Sequence, residues 1–315
     1  MTRLKGILCG ILTSATFGMI PLFTLPLMKQ GMTFLSILFY RFLISSVLLA
    51  GLIFFSKQRF RVTRKELFTL MWLSVLYTGS ALFLFWGYNY MPSGAATTIV
   101  FLYPIFVAII MACFFGEKAS LSTYTAIVLA VTGVALLSGA GSTQGVQLKG
   151  VLIEVISALS YALYIVGVNQ SCVKNMGAWK ITFYVFMFDT ITFALCAQCT
   201  GGLQRIPDIG AGIYLFILAL VPTVISNLSL VYAIKWIGST FSSILGAFEP
   251  LTAMCIGVWV FQEPFTVGLA WGLVLVINAV SLIIFAPAMR KGYRRGKLVY
   301  ITKIKKKHPG MIPYH

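Results

Sequence analysis

The chain has 315 residues, 59% of them hydrophobic and 10% charged, with a mean hydropathy of +0.93. Soluble domains carry about 25% charged residues, so an ordinary soluble domain, a disordered chain and a small disulfide scaffold are all excluded. The net charge of +17 (24 Lys+Arg against 7 Asp+Glu) lies between apolar runs and in the tail, which reads as the basic loops of a polytopic membrane protein, not a nucleic-acid surface.

A bilayer core about 30 Å thick takes roughly 20 apolar helical residues per crossing. Ten segments answer to that ruler: Leu4–Leu27, Thr33–Phe55, Leu67–Tyr90, Gly94–Phe115, Leu121–Leu137, Leu148–Val168, Trp179–Ala197, Gly212–Ile234, Thr240–Phe261 and Phe265–Pro287. The first has the charged head and apolar body of a signal peptide, but its long apolar stretch and the lack of a small-residue cleavage site make it a retained helix. The short loops leave no room for an extramembrane catalytic domain. The basic residues set the orientation. With the N-terminus cytoplasmic, 20 of the 24 fall inside, three (Lys29, Lys149, Arg205) outside, and Arg41 within a helix. Both termini are therefore expected in the cytoplasm. The tail, residues 290–315, holds nine basic and no acidic residues and is expected to fix topology and attract anionic lipid.

An internal repeat organises the segments. Pro104 and Glu117 recur as Pro250 and Glu263 at an offset of 146, as do Ser93 with Ser239 and Trp86 with Tyr232. At an offset of 144, Lys5-Gly6 meets Lys149-Gly150, Phe17 meets Tyr161 and Tyr40 meets Tyr184. Each copy holds five segments, over residues 4–139 and 148–287. Five is odd, so the second copy enters the membrane from the opposite face. The expected fold is an all-α integral membrane protein of ten transmembrane helices in two inverted five-helix repeats, an arrangement that suits alternating access around a midplane site. Plain duplication for stability is the bland alternative.

With the prolines of segments four and nine, Gly116-Glu117 and Gln262-Glu263 closing those segments, Phe248-Glu249-Pro250, and Tyr40-Arg41-Phe42, the chain resembles the EamA-type transporters of the drug/metabolite transporter superfamily over roughly residues 4–287. The resemblance implies a bacterial inner-membrane transporter, often an exporter of amino acids or related metabolites. Two departures stand out: Phe17-Gly18 occupies a place where such proteins often carry Trp-Gly, and Arg41 has Val185 as its repeat mate.

Ionisable groups inside a span cost about 2.5–3.5 kcal/mol on insertion scales, which makes each a functional candidate. Arg41 lies roughly 12 Å and Asp189 roughly 15 Å into their segments at 1.5 Å per residue. Asp189 aligns with Ser45, one turn from Arg41, so both charges are expected to look toward one cavity. Arg41 then reads a substrate carboxylate and Asp189 an ammonium or a coupled proton; the alternative is a static salt bridge between them. Glu249, directly before Pro250, is either a cation or proton site or a structural carboxylate at a kink, and Glu154 is a weaker candidate. Trp86 and Tyr103 lead the aromatics as substrate contacts because they neighbour the kinked helix; Tyr88, Tyr90, Tyr161, Tyr164, Tyr232 and Trp236 also fall near the expected pathway. Pro104 and Pro250 free the carbonyls of Val100 and Gly246 and mark the kinks, with further breaks at Pro21, Pro26 and Pro222. Glu117 and Glu263 read as helix-junction residues first and gate residues second.

No catalytic or metal site is expected. The only histidines, His308 and His315, are in the tail; Cys196-x-x-Cys199 lacks a further ligand pair; and no P-loop, nucleophile motif or dinucleotide fingerprint is present. No cofactor is expected, and the expected partners are a small-molecule substrate, lipid and a coupled proton. The function expected is a secondary exporter of small organic metabolites. The alternatives are uptake, resistance export of a sugar derivative or an organic cation, and a non-transporting receptor or scaffold.

Overall fold

The computed structural model describes residues 2–56, 61–116, 121–139, 147–230, 232, 233, 236, 245, 246 and 248–282. Among the described residues there is no strand. The helices are α1 (Thr2–Gly18), α2 (Ile20–Lys29), α3 (Phe34–Phe55), α4 (Arg64–Gly87), α5 (Ser93–Val100), α6 (Tyr103–Phe114), α7 (Leu121–Gly139), α8 (Leu148–Gln170), α9 (Ala178–Cys199), α10 (Ile209–Leu230), α11 (Phe248–Phe261) and α12 (Val267–Leu282).

Of the ten expected segments, seven are long and apolar enough to cross a membrane: Leu4–Lys29, Phe34–Phe55, Arg64–Gly87, Ser93–Phe114, Leu148–Val168, Trp179–Cys199 and Ile209–Leu230. The other three correspond to shorter apolar helices, Tyr124–Leu136, Phe248–Phe261 and Val267–Leu282. Expected segments nine and ten extend into 240–244, 247 and 283–287, which lie outside the described residues, as do Glu117 and the tail.

Local sequence sets the helix ends. Thr33 opens α3 by accepting from Ser36 N–H, Thr63 and Glu66 form a reciprocal capping box on α4, and Asp208 caps α10 through Ala211 N–H at 2.6 Å. Proline sets the interior breaks. Pro104 falls in the first turn of α6, where its missing N–H costs nothing, and the preceding helix stops at Val100, the residue whose carbonyl the ring would meet. Pro21 likewise opens α2 after the break at Met19, while Pro26 is carried inside α2. Pro222 produces a different result. Residues Leu220–Ile225 widen into a π turn, and the carbonyl of Leu218 accepts from Thr223 Oγ1 at 2.9 Å.

Exposed apolar side chains run along outer faces, as Phe68 (68% exposed), Trp72 (64%) and Val75 (50%) do along α4. A stripe of this kind at i, i+4, i+7 faces lipid, not water. Inside, α4 and α8 pack antiparallel, with Leu73 against Gly167, Ser80 against Ser157 and Gly87 against Glu154. Phe42 of α3 stacks on Phe193 of α9 (ring centroids 5.6 Å, planes 2° apart) and touches Phe186 at 5.2 Å.

The repeat is visible in paired contacts. Thr13 and Ser226 exchange hydroxyl-to-carbonyl hydrogen bonds at 3.1 and 3.0 Å between α1 and α10. Their repeat mates, Ser157 and Ser80, make the equivalent bond between α8 and α4, with Ser157 Oγ donating to the Ser80 carbonyl at 2.8 Å. Each repeat thus leans on the other through the same two positions.

Candidate functional site

Arg41 is carried on α3 into the centre of the bundle and is 2% exposed. Its Nε donates to Thr223 Oγ1 at 2.9 Å, so the π turn made by Pro222 positions the hydroxyl that holds it. The guanidinium lies 5.3 Å from the Phe42 ring centroid and 5.6 Å from that of Phe85, within cation–π range. Its two terminal nitrogens make no hydrogen bond to the described residues.

Next to Phe42 stands Tyr77 (ring centroids 6.0 Å), which opens a cluster of four tyrosines. Tyr77 lies 5.0 Å from Tyr164 and 6.1 Å from Tyr161; Tyr161 lies 4.8 Å from Tyr103, edge to face. None of the four hydroxyls has a hydrogen-bond partner among the described residues, and the four rings form one contiguous aromatic cluster. Glu249, at the start of α11, lies within electrostatic range of Tyr77, Tyr88, Tyr103 and Tyr161. Tyr77 and Tyr88 also feel Arg41. The tyrosine cluster thus adjoins Phe42, over whose ring the Arg41 guanidinium lies. Glu249 is the repeat mate of Tyr103, each standing one residue before its kink proline.

Asp189 is fully buried on α9, facing α4. Its Oδ1 accepts from Ser74 Oγ at 2.5 Å and from Thr78 Oγ1 at 2.9 Å, and Oδ2 has no partner among the described residues. Tyr77 stands between those two donors on α4, so Asp189 lies next to the tyrosine cluster. Among the described residues no ion pair joins Arg41 to Asp189; each is held by neutral hydroxyls instead.

The remaining candidates lie elsewhere. Trp86 points to the end of α4, with Phe83 and Tyr90 each 6.2 Å away and Lys149 Nζ 5.7 Å over its ring. Glu263 follows α11 and bonds the start of α5: Ser93 N–H and Oγ–H donate to Oε1, both at 2.9 Å, and Oγ lies 3.2 Å from Oε2. Pro92 leaves α5 without a side-chain cap of its own, so the carboxylate supplies one from the other repeat. At the same end of the bundle, Gln204 ties the loop before α10 to the first repeat. Its Oε1 accepts from Thr33 N–H at 2.5 Å, its Nε2 donates to the Gly31 carbonyl at 3.3 Å, and its own carbonyl accepts from Tyr40 Oη at 2.9 Å.

The six cysteines are all free, and among the described residues no group of three or more His, Cys, Asp or Glu side chains is placed to hold a metal. Tyr77, Ser74, Thr78 and Thr223 are site residues that the sequence reading missed. The available signal was the spacing Ser74, Tyr77, Thr78 at i, i+3, i+4, which puts three polar groups on one face of an apolar helix.

Comparison with known proteins agrees with this architecture. The model of the EamA-like transporter family matches twice, over residues 4–139 and 148–285. The uncharacterized transporter YetK of Bacillus subtilis (strain 168) is 25% identical over 283 residues, 87% of this chain and 79% of its own. The uncharacterized transporter YvbV of the same organism is 24% identical over 206 residues, and an uncharacterized transporter of Archaeoglobus fulgidus is 24% identical over 188. The match spans 65% of the length of each of these last two relatives. A solved crystal structure superposes with a TM-score of 0.63 over 89% of this chain and 95% of its own at 14% identity, a likeness of fold alone. With two family matches covering most of its length, and with seven helices among the described residues long and apolar enough to span a bilayer, the chain belongs to the EamA-like transporter family.

Proposed function

We propose that this transporter exports amino acids or closely related zwitterionic metabolites from the cell by alternating access. The observation that carries the reading is Arg41: a buried guanidinium, tethered through Nε, whose two terminal nitrogens have no hydrogen bond among the described residues, next to the tyrosine cluster that in this reading lines the substrate chamber. Arg is suited to bidentate recognition of a carboxylate. A carboxylate on Arg41, an ammonium toward Glu249 and a side chain among Tyr77, Tyr103, Tyr161 and Tyr164 together describe an α-amino acid or a near relative. In this reading Asp189 and Glu249 carry coupled protons, Trp86 contributes at the chamber's outer approach, Pro104 and Pro250 are hinges, and Glu117 and Glu263 guard opposite faces.

The architecture proposed with it is ten helices in two inverted repeats, residues 4–139 and 148–287, in the bacterial inner membrane, with both termini and the basic 290–315 tail in the cytoplasm. The paired Thr13–Ser226 and Ser157–Ser80 contacts support a symmetric exchange of shape between the units. The test compares metabolites accumulating outside cells that overproduce the chain with cells producing an Arg41→Gln, Asp189→Asn double variant at matched membrane abundance. Release of an amino-acid-like solute by the parent alone is the expected result. Equal release by both, or selective release of a solute without a carboxylate, would overturn the reading.

A further inference from the structure

A second polar site lies outside the chamber. Glu154, on α8, is fully buried, and neither carboxyl oxygen has a hydrogen-bond partner. Its side chain folds onto the bare backbone of Gly87, where Oε1 occupies the place a methyl group would take. Tyr88 follows Gly87 in the chain; its hydroxyl and that of Thr97, on α5, are buried and lie near one another.

Buried polar atoms without partners are rare and costly, and a group of them marks something that comes and goes. The charged groups nearby do not neutralise Glu154. Lys149, five residues earlier on the same helix, lies over Trp86 and Tyr90, and no charged side chain among the described residues pairs with Glu154. Wedged against Gly87, the carboxyl group leaves no space for a metal ion with its shell of oxygens, whereas a proton needs no volume. Symmetry gives the group no structural duty, since the repeat mate of Glu154 is Gly10.

We propose that Glu154, packed against Gly87, is a proton-binding site separate from Arg41 and Glu249. Glu154 holds the proton as a neutral acid and releases it to water. This assignment is independent of which solute is carried and of its direction.

The experiment is infrared difference spectroscopy against pH on the full chain in lipid nanodiscs, reading the carbonyl stretch of protonated carboxyl groups. Wild type should show a glutamic acid band at neutral pH that is lost in one step on alkaline titration. Glu154→Gln should remove that band, and Gly87→Ala, whose methyl group takes the place of Oε1, should shift it. Should the glutamine variant fail to fold, Glu154→Asp gives the same reading as a displaced band, and carbon-13 labelling of glutamate in the wild type identifies the residue class. A Glu154→Gln protein that keeps every protonated carboxyl band would overturn the proposal. So would loss of the band on adding sodium or potassium at fixed pH, which would make this a cation site.

Discussion

Removing the Glu263 carboxylate should loosen the end of the bundle at which Gln204 also ties the repeats. The group caps an eight-residue helix that has no cap of its own, through contacts of 2.9, 2.9 and 3.2 Å with Ser93. A hydrogen bond to a charged group contributes about 1.5–3 kcal/mol, and an N-terminal cap about 1 kcal/mol. The contributions overlap, so Glu263→Ala should cost about 2 kcal/mol. Ser93→Ala removes the hydroxyl and keeps the N–H, so the two changes should couple by about 1 kcal/mol in a double-mutant cycle. Glu263→Gln keeps an acceptor and should fall between wild type and Ala. Gly257→Ala supplies an independent route, because a methyl group there collides with Glu263 Oε2 and evicts the carboxylate without changing it. The assay is reversible unfolding in mixed micelles, with accessibility of a cysteine placed at Pro92 as a second readout. Strictly additive single and double variants, or an unchanged Gly257→Ala protein, would refute the latch.

Other outcomes follow from the same geometry. Asp189→Asn keeps an oxygen for Ser74 and Thr78 and has no Oδ2 contact to lose, so its denaturation midpoint should stay close to wild type. Asp189→Leu strands both hydroxyls and should cost about 1–3 kcal/mol for each. Arg41→Lys loses both the Nε bond to Thr223 and the planar group beside Phe42 and Phe85. Counterflow of the exported solute should therefore fall at least as far as with Arg41→Gln, and recovery of transport by lysine would show that charge alone is read. Phe42→Ala, at the centre of the Phe186–Phe193–Tyr77 contacts, should cost about 3–5 kcal/mol of stability, checked by the same unfolding assay.

Much of the scaffold is legible in the sequence, because its signals are local. Apolar length marks a span whatever packs against it, and Pro104 ends a helix at Val100 for a covalent reason. The charges are legible as charges, but their partners are not. Asp189 bonds Ser74 and Thr78 across 115 and 111 residues, and Arg41 bonds Thr223 across 182; no periodicity encodes such pairings. Alignment placed Arg41 and Asp189 on equivalent faces, yet each meets a different helix and they form no ion pair. Trp86 shows the same limit, because closeness in sequence to the kinked helix does not fix direction. Its ring turns to Phe83, Tyr90 and Lys149. The π turn was unreadable beyond the presence of Pro222, since whether a helix widens or breaks there depends on which donor reaches the freed carbonyl.

The repeat is symmetric in its scaffold and asymmetric in its chemistry. Arg41, Asp189, Glu154 and Glu249 have the uncharged mates Val185, Ser45, Gly10 and Tyr103. The asymmetry reaches the surrounding shell as well. Ser74 and Thr78, which hold Asp189, have Leu220 and Val224 as mates, while Ser45 is itself a donor, to the Ala219 carbonyl at 3.2 Å. A carboxyl group moved to position 45 would meet the Ala219 carbonyl, the helix carrying Leu220 and Val224 and, one turn away, Arg41, so the comparison is made in an Arg41→Gln background. There Ser45→Asp should cost several kcal/mol, the penalty for a buried polar group without partners. Adding Leu220→Ser and Val224→Thr rebuilds the donors on the other helix and should recover about 1–2 kcal/mol. If Ser45→Asp is tolerated alone, or if the added hydroxyls return nothing, the donors around Asp189 are incidental. If the recovery is seen, the position of each charge follows from the hydroxyls of the facing helix, and a functional carboxyl group can be relocated between repeats only together with that shell.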